Sequence, residues 1–223
     1  MKTKGQIILA LDVDSLQKAK GFVDKLYPRV RVFKVGLQLF TFAGQEIIQY
    51  IRKKGGEVFL DLKFFDIPNT VALAVRQAVR LKVKMLTLHI QGGEKMLKAA
   101  VKAVRDESRR SKIKQPWLIG VTVLTSRKAT REEILKLAKS GLACGLDGVV
   151  CSPRETAYLR KKIKKPFIIV TPGIRPSHAA CDDQKRTATA GEAIKSGSNF
   201  LVVGRPILQA VSCRRAVEEL LEE

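Results

Sequence analysis

Eight short apolar segments, rich in β-branched residues, recur along the chain and alternate with longer segments whose apolar residues have helical spacing. The predicted strands are residues 6–12, 30–36, 57–64, 85–90, 117–124, 148–152, 166–174 and 199–206. The clearest predicted helices are residues 41–54 and 70–82. Strand followed by helix, repeated eight times, indicates parallel strands. We therefore predict an α/β protein with a (β/α)8 TIM barrel as a single domain over residues 1–223.

The alternative architecture is an open, doubly wound parallel sheet. No GxGxxG motif follows the first predicted strand to support it. Glycines precede several predicted strands, at Gly55, Gly145 and Gly197, where they are typical of helix C-caps. A length of 223 residues also suits one closed barrel.

The chain is strongly basic, with 42 Lys and Arg against 21 Asp and Glu and a formal net charge of +21. Such an excess attracts phosphates, nucleic acids or acidic membranes. The basic residues are scattered, however, and no aromatic residues alternate with them as a base-stacking surface requires. We therefore expect a generally basic surface and no nucleic-acid partner.

Cysteine and histidine usage indicates neither a metal site nor a disulfide framework. The four Cys residues form no CxxC pair, and the two His residues, His89 and His178, lie far apart in the sequence. Reduced thiols are typical of a cytoplasmic protein. The apolar run at residues 7–11 ends at Asp12 and is too short for a signal peptide or a membrane helix.

Polar residues collect where the predicted strands end. In a barrel, catalytic groups lie at the carboxyl ends of the strands. The residues at these ends are Asp12, Lys34, Asp61, Lys63, His89, Thr125, Ser152, 171–175, Gly204 and Arg205. We expect His89 to be a structural residue with its hydrogen bonds satisfied, and Cys151 to be a buried apolar side chain.

The segment FLDLKFFDIPNT at residues 59–70 combines charged and apolar residues. Asp61 and Lys63 are two apart on a strand and therefore face the same side. Lys34 ends the neighbouring strand, and Asp66 lies just beyond. Alternating acids and lysines can hold one another ionised, either as a catalytic array or as a paired layer that fills the barrel. The other polar strand ends favour catalysis.

This segment resembles the signature of the orotidine 5′-phosphate decarboxylase family. Further matching motifs are ALD at 10–12, KVG at 34–36, VTVLTS at 121–126, GLDGVVCS at 145–152, TPGIRP at 171–176, DQKR at 183–186 and VVGRP at 202–206. The related magnesium-dependent 3-keto-gulonate 6-phosphate decarboxylase shares the DxKxxD triplet, but IPNT and TPGIRP favour the orotidylate enzyme. Phe65 and Ile90 depart from the His and Ala that many members carry.

The resemblance implies cofactor-free loss of CO2 from C6 of orotidine 5′-monophosphate, giving UMP in the last step of de novo pyrimidine synthesis. Lys63 would stabilise the charge at C6 and protonate it, while Asp61 would crowd the departing carboxylate. Lys34 would keep Asp61 ionised and help to hold the ribose. Asp12 would bind a ribose hydroxyl, and Thr125 would contact the pyrimidine.

The resemblance also implies a phosphate site and a dimer. Arg205, Arg175 and backbone N–H groups near Gly204 would bind the phosphate, and Gln184 would belong to a lid at residues 176–186. The expected assembly is a homodimer with its active sites at the interface. Asp66 and Thr70 would reach the partner's site. The different functional class that stays open is a nucleic-acid-binding protein using the net charge.

Overall fold

Eight parallel strands close into a barrel in which each strand pairs with its neighbours in the sequence and β8 pairs with β1. The computed structural model describes residues 6–124, 127–176 and 188–222. The strands are β1 (Gln6–Ala10), β2 (Val32–Gly36), β3 (Glu57–Phe64), β4 (Met85–His89), β5 (Trp117–Val121), β6 (Gly148–Val150), β7 (Ile168–Thr171) and β8 (Phe200–Val203). The predicted (β/α)8 barrel is confirmed.

Helices follow the strands and cover the outside of the barrel. They are α1 (Leu16–Leu26), α2 (Leu37–Lys53), α3 (Pro68–Arg80), α4 (Gly93–Ser111), α5 (Arg131–Ala143), α6 (Pro153–Lys162), α7 (Ala190–Lys195), α8 (Arg205–Leu208) and α9 (Cys213–Glu222). A single 3-10 turn, Ile90–Gly92, precedes α4. Among the described residues, no helix combines the length and apolar character needed to cross a membrane.

Strand alternation divides the apolar residues into two layers. One layer fills the barrel, and its buried members are Ile8, Val32, Phe59, Met85, Ile119, Val170 and Phe200. The other lies between the strands and the amphipathic helices. Burying one such side chain contributes about 1.5–3 kcal/mol, so both layers favour the closed barrel.

Six predicted strands run past the carboxyl end of the observed strand. Leu11, Cys151 and Ile174 lie beyond these ends and are buried, although they belong to no strand. Their apolar character reflects packing at the mouth of the barrel, which the sequence pattern cannot distinguish from strand pairing.

Two helix predictions needed adjustment at their starts. Helix α2 begins at Leu37 rather than at residue 41, and Gly44 interrupts its helical dihedral angles with φ of 53°. Helix α3 begins at Pro68, at the first helical position that suits proline. The predicted C-cap glycines Gly55, Gly145 and Gly197 all have positive φ, as expected.

Candidate active site

A cavity of about 300 Å³ opens at the carboxyl ends of the strands. Its described lining combines charged groups with an apolar wall: Asp12, Lys34, Phe59, Asp61, Lys63, Val121, Val123, Leu124, Val150, Val170, Pro172, Gly173, Arg175, Val202, Gly204, Arg205 and Leu208. The cavity lies in the size range of small-molecule sites. It brings together seven of the sequence-predicted site residues.

Asp61 is the centre of the charged array. Lys63 Nζ donates to its Oδ2 at 2.9 Å, Lys34 Nζ lies 3.7 Å from the same oxygen, and Thr87 Oγ1 donates to Oδ1 at 2.9 Å. Burial alone would raise the pKa of Asp61. The two lysine charges and the hydrogen bonds from Lys63 and Thr87 outweigh burial and lower the pKa. The carboxylate is therefore ionised at neutral pH.

Lys34 connects Asp61 to Asp12. Its Nζ donates to Asp12 Oδ1 at 2.9 Å, and only 10% of its side chain is exposed, against 53% for Asp12. A Cβ added to Gly36 would lie 2.9 Å from Lys34 Nζ and 3.3 Å from Asp12 Oδ1, so glycine leaves space for this pair. The array thus runs from Asp12 through Lys34 and Asp61 to Lys63.

The backbone that carries Asp61 and Lys63 is not a regular strand. Leu60 of β3 pairs with Leu86 of β4, but the next pair joins Phe64 to Leu88, so β3 bulges between them. Lys63 has φ of 51°, a left-handed conformation that costs about 1–2 kcal/mol outside glycine.

Thr87 of β4 supports this bulge. Its hydroxyl accepts the Lys63 backbone N–H at 2.9 Å while donating to Asp61. Thr87 is fully buried, so both bonds lie in a region with little water. The prediction that Asp61 and Lys63 meet is confirmed, but a bulge held by Thr87 brings them together rather than strand alternation alone.

Asp66 and Thr70 lie apart from this array. Both are exposed, and neither is among the residues that line the cavity. Asp66 Oδ1 accepts the backbone N–H of Ile67 at 2.6 Å. The second acid of the array within one chain is therefore Asp12.

Two arginines contribute positive charge to the cavity wall. Arg205 begins α8 directly after Gly204, and Arg175 follows β7. The Arg175 backbone N–H donates to Ala188 O at 3.0 Å, within a parallel bridge between Ile174 and Ala188. This bridge holds the backbone of Arg175 beside the cavity. The predicted site residues Thr125 and Gln184 lie outside the described residues.

Other polar strand ends have structural partners. The backbone N–H of Ser152 donates to Glu155 at 2.7 Å and caps α6, and Thr171 Oγ1 bonds Ser198 at 2.6 Å. Burial raises the pKa of the Cys151 thiol to about 12, so it is the inert apolar group that the sequence predicts.

The expectation for His89 is wrong in one respect, because its Nδ1 is buried without a hydrogen-bond partner among the described residues. Burial, together with the charge of Lys63, lowers the pKa of His89. The ring therefore stays neutral at pH 7 and contacts the ring of Phe65, with centroids 5.5 Å apart.

Sequence reasoning missed Thr87 and the role of Gly36. A signal for Thr87 was present, since it lies two residues before His89 and therefore shares its face of β4. A buried hydroxyl needs a hydrogen-bond partner, so a Thr at an inward position of an otherwise apolar strand predicts such a partner inside the barrel.

Comparison with known proteins agrees with this geometry. Residues 5–220 match the model of the orotidine 5′-phosphate decarboxylase / HUMPS family. Two relatives, the orotidine 5′-phosphate decarboxylases of Syntrophotalea carbinolica and Trichlorobacter lovleyi, are each 45% identical, and each alignment covers 100% of this chain and 96% of the relative. The crystal structure of orotidine 5′-phosphate decarboxylase from Lactobacillus acidophilus superposes with a TM-score of 0.86 at 35% identity, covering 98% of both chains. The chain therefore belongs to the orotidine 5′-phosphate decarboxylase / HUMPS family.

Proposed function

We propose that this protein is a carboxy-lyase that converts orotidine 5′-monophosphate to UMP and that Asp61 and Lys63 carry the chemistry. The observation that supports these roles most directly is the partly buried Asp61–Lys63 pair, 2.9 Å apart in a cavity whose wall also carries two arginines. The reaction is the one after which the family and the full-length relatives are named.

Lys63 supplies both charge stabilisation and a proton. When the C6–carboxylate bond breaks, CO2 leaves and the electron pair stays on C6. The Lys63 ammonium lies beside this developing charge and then transfers one proton to C6, giving UMP and a neutral amine that solvent reprotonates. Its side chain is 31% exposed, which permits that reprotonation.

Asp61 destabilises the substrate carboxylate next to it. Only 13% of its side chain is exposed, and Lys63, Lys34 and Thr87 hold it in place, so it cannot turn away when a second carboxylate arrives. The repulsion between the two anions falls as CO2 departs, which lowers the barrier. No cofactor takes part in this scheme.

The remaining predicted residues bind the substrate. Asp12 and Lys34 hold the ribose hydroxyls, because they lie next to the reacting pair. Arg175, Arg205 and the backbone at Gly204 bind the phosphate, as is common after the last two strands of a barrel. We propose that Thr125 contacts the pyrimidine and that Gln184 acts from a lid.

The alternative is the magnesium-dependent sugar-phosphate reaction, because the family description also covers the HUMPS group. Identities of 45% to full-length orotidine 5′-phosphate decarboxylases favour the orotidylate reaction. The absorbance change on conversion of orotidine 5′-monophosphate tests this directly. We expect turnover that is unchanged by EDTA, with Lys63→Ala as the inactive control. Absence of turnover, or complete loss in EDTA, would contradict the proposal.

We further propose a homodimer in which Asp66 and Thr70 complete the partner's site. Five large apolar side chains are exposed on α2 and on the segment from β3 into α3: Leu37, Phe42, Phe65, Ile67 and Leu73. These elements follow β2 and β3, which are neighbouring strands of the barrel. Exposed apolar side chains grouped in this way are typical of an interface, and a two-fold axis would make the exchange reciprocal.

Mixed dimers test the exchange. The Lys63→Ala and Asp66→Ala homodimers should both be nearly inactive. After joint unfolding and refolding of equal amounts, about half of the dimers are mixed, so roughly a quarter of all sites are wild type. Activity should therefore return. If heterodimers form and remain as inactive as the parents, Asp66 does not act across an interface.

We also propose that the enzyme is one barrel domain over residues 1–223 and works in the cytoplasm.

A further inference from the structure

The net positive charge of the described connections is concentrated at the amino end of the barrel. The connections that lead from α1–α7 into β2–β8 contain nine Lys and Arg and a single acid, Asp147. The basic residues are Arg29, Arg31, Lys54, Lys82, Lys84, Lys112, Lys114, Lys164 and Lys165. The carboxylate of Asp147 accepts the backbone N–H of Leu118 at 2.8 Å and belongs to the strand edge.

Part of this surface is concave. A cavity of about 500 Å³ lies among the ends of α2, α3 and α4 and the strands that follow them. We call it the basal groove, and its charged lining is Arg52, Glu57, Lys82, Lys84, Lys112 and Lys114. Glu57 pairs with Lys84. No described carboxylate forms an ion pair with the other four cations, which therefore leave an excess of positive charge in the groove.

Two of these lysines occupy positions that normally favour glycine. Lys82 and Lys112, which follow α3 and α4, have φ of 54° and 53°. Gly55, Gly145 and Gly197 hold the corresponding turns after α2, α5 and α7. A side chain in this conformation is strained. Two lysines in place of glycine at the groove therefore indicate that their positive charges have a function.

We propose that the basal groove binds an oligophosphate chain, either inorganic polyphosphate or the phosphates of a nucleoside polyphosphate. Four cations without carboxylate partners in one concavity match several negative charges at close spacing. A membrane surface fits less well, because the exposed large apolar residues of the described chain lie on none of the connections at this end. A stacked nucleic acid also fits less well, because Trp117 already packs against Phe200 and Lys84.

Trp117 makes this site measurable, since it lines the groove and is the only Trp in the chain. Tripolyphosphate should change its fluorescence saturably at low ionic strength, and added salt should weaken binding. The test variant is Lys82→Gly with Lys112→Gly, because glycine keeps these turns while removing both charges. Its matched control is Lys164→Ala with Lys165→Ala, which removes two charges at the same end outside the groove.

We expect the glycine pair to weaken tripolyphosphate binding about tenfold, and the alanine pair to change it less than about twofold. Parallel titrations with ATP and with long-chain polyphosphate identify which source binds tighter. Equal losses in both variants, or no binding at low salt, would overturn the proposal. Tighter binding of single-stranded RNA of matched charge than of tripolyphosphate would also overturn it. Tripolyphosphate binding that is lost only in Arg205→Ala would overturn it as well, because the anion would then lie in the carboxyl-end cavity.

A second, independent inference rests on the proposed function and concerns Thr87. We infer that Thr87 is a positioning residue for the reaction. Its one hydroxyl accepts from the left-handed backbone of Lys63 and donates to Asp61, both at 2.9 Å, at the bulge where β3 leaves its regular ladder. It therefore sets the relative placement of the acid and the base without touching the substrate.

Thr87→Val keeps the shape of the side chain and removes the hydroxyl, whereas Thr87→Ser keeps the hydroxyl. We expect Val to lower kcat about tenfold with little change in KM, and Ser to restore most of it. Loss of the Thr87 hydrogen bond should raise the pKa of Asp61, so the acid limb of the kcat profile should move to higher pH in the valine variant. If the wild type is active and Thr87→Val has the same kcat and pH profile, the role of Thr87 is rejected while the proposed function stands. An inactive wild type would instead reject the function.

Discussion

The two ends of the barrel handle charge in opposite ways. At the carboxyl end, the described connections contain three acids and three bases, and the array from Asp12 to Lys63 lies in a partly closed cavity where each charge has a partner. At the amino end, nine bases accompany one acid, and most of them are exposed. Ions that lose water need partners, whereas exposed ions keep their hydration.

This contrast separates two uses of charge. Pairing in a water-poor cavity fixes the geometry of Asp61 and Lys63, because any other arrangement would leave an uncompensated ion. Exposed lysines impose no such geometry and act through their summed potential. The net charge of +21 therefore says little about the reaction, although five of the eight sequence motifs that carry the family resemblance contain Lys or Arg.

The largest expected effect separates the ends directly. Lys63→Ala should reduce kcat by about a thousandfold or more, because it removes the cation that we propose lies beside C6. Lys165→Ala, which removes an exposed lysine from the amino end, should leave kcat unchanged. The assay is decarboxylation of orotidine 5′-monophosphate, with circular dichroism to check folding. Similar losses in both variants would show that charge in general, not its placement, supports the reaction.

Arg205→Ala should give the next largest effect. Removing the proposed phosphate contact should raise KM about tenfold to a hundredfold, since a charge-assisted bond contributes about 1.5–3 kcal/mol. Lys161→Ala, a change at an exposed position on α6, serves as the control. A KM that stays at the wild-type value would place the substrate phosphate elsewhere.

A charge cluster on the side of the barrel should affect stability but not turnover. Hydrogen bonds from Arg110 and Arg80 lower the pKa of Glu107 from 4.5 to about 2. A depressed folded-state pKa stabilises the fold above about pH 4.5, and this contribution disappears as the pH falls toward 2. Glu107→Gln should therefore lower Tm at pH 7, with a difference from wild type that shrinks below pH 4.5. An equal difference at pH 7 and pH 3 would contradict the assignment.

The smallest expected effect concerns backbone strain at the amino end. Lys82→Gly should raise the free energy of unfolding by about 0.5–1 kcal/mol, because glycine adopts the left-handed turn without strain. Lys114→Gly, at a position whose φ is not positive, should instead lower it. Urea denaturation of both variants measures the difference. If Lys82→Gly also destabilises, the lysine side chain makes contacts that outweigh its strain.

The sequence by itself determined the order and type of the barrel elements. Each strand is an apolar run of local residues, and alternation along it decides which side faces the interior, so neither needs distant information. Polar residues at the strand ends likewise predicted seven lining residues of the cavity, among them Asp12, Lys34 and Arg205. The C-cap glycines were predictable for the same local reason.

Only the tertiary structure decided how these residues meet. The β3 bulge and its support by Thr87 depend on the register between two strands, with partners 24 and 26 residues apart. Asp12 is the acid that pairs with Lys34 because β1 and β2 are neighbouring paired strands of the barrel. The basic residues of this end are scattered in the sequence because each connection contributes at most two. They form one surface because parallel strands bring every such connection to the same end of the barrel.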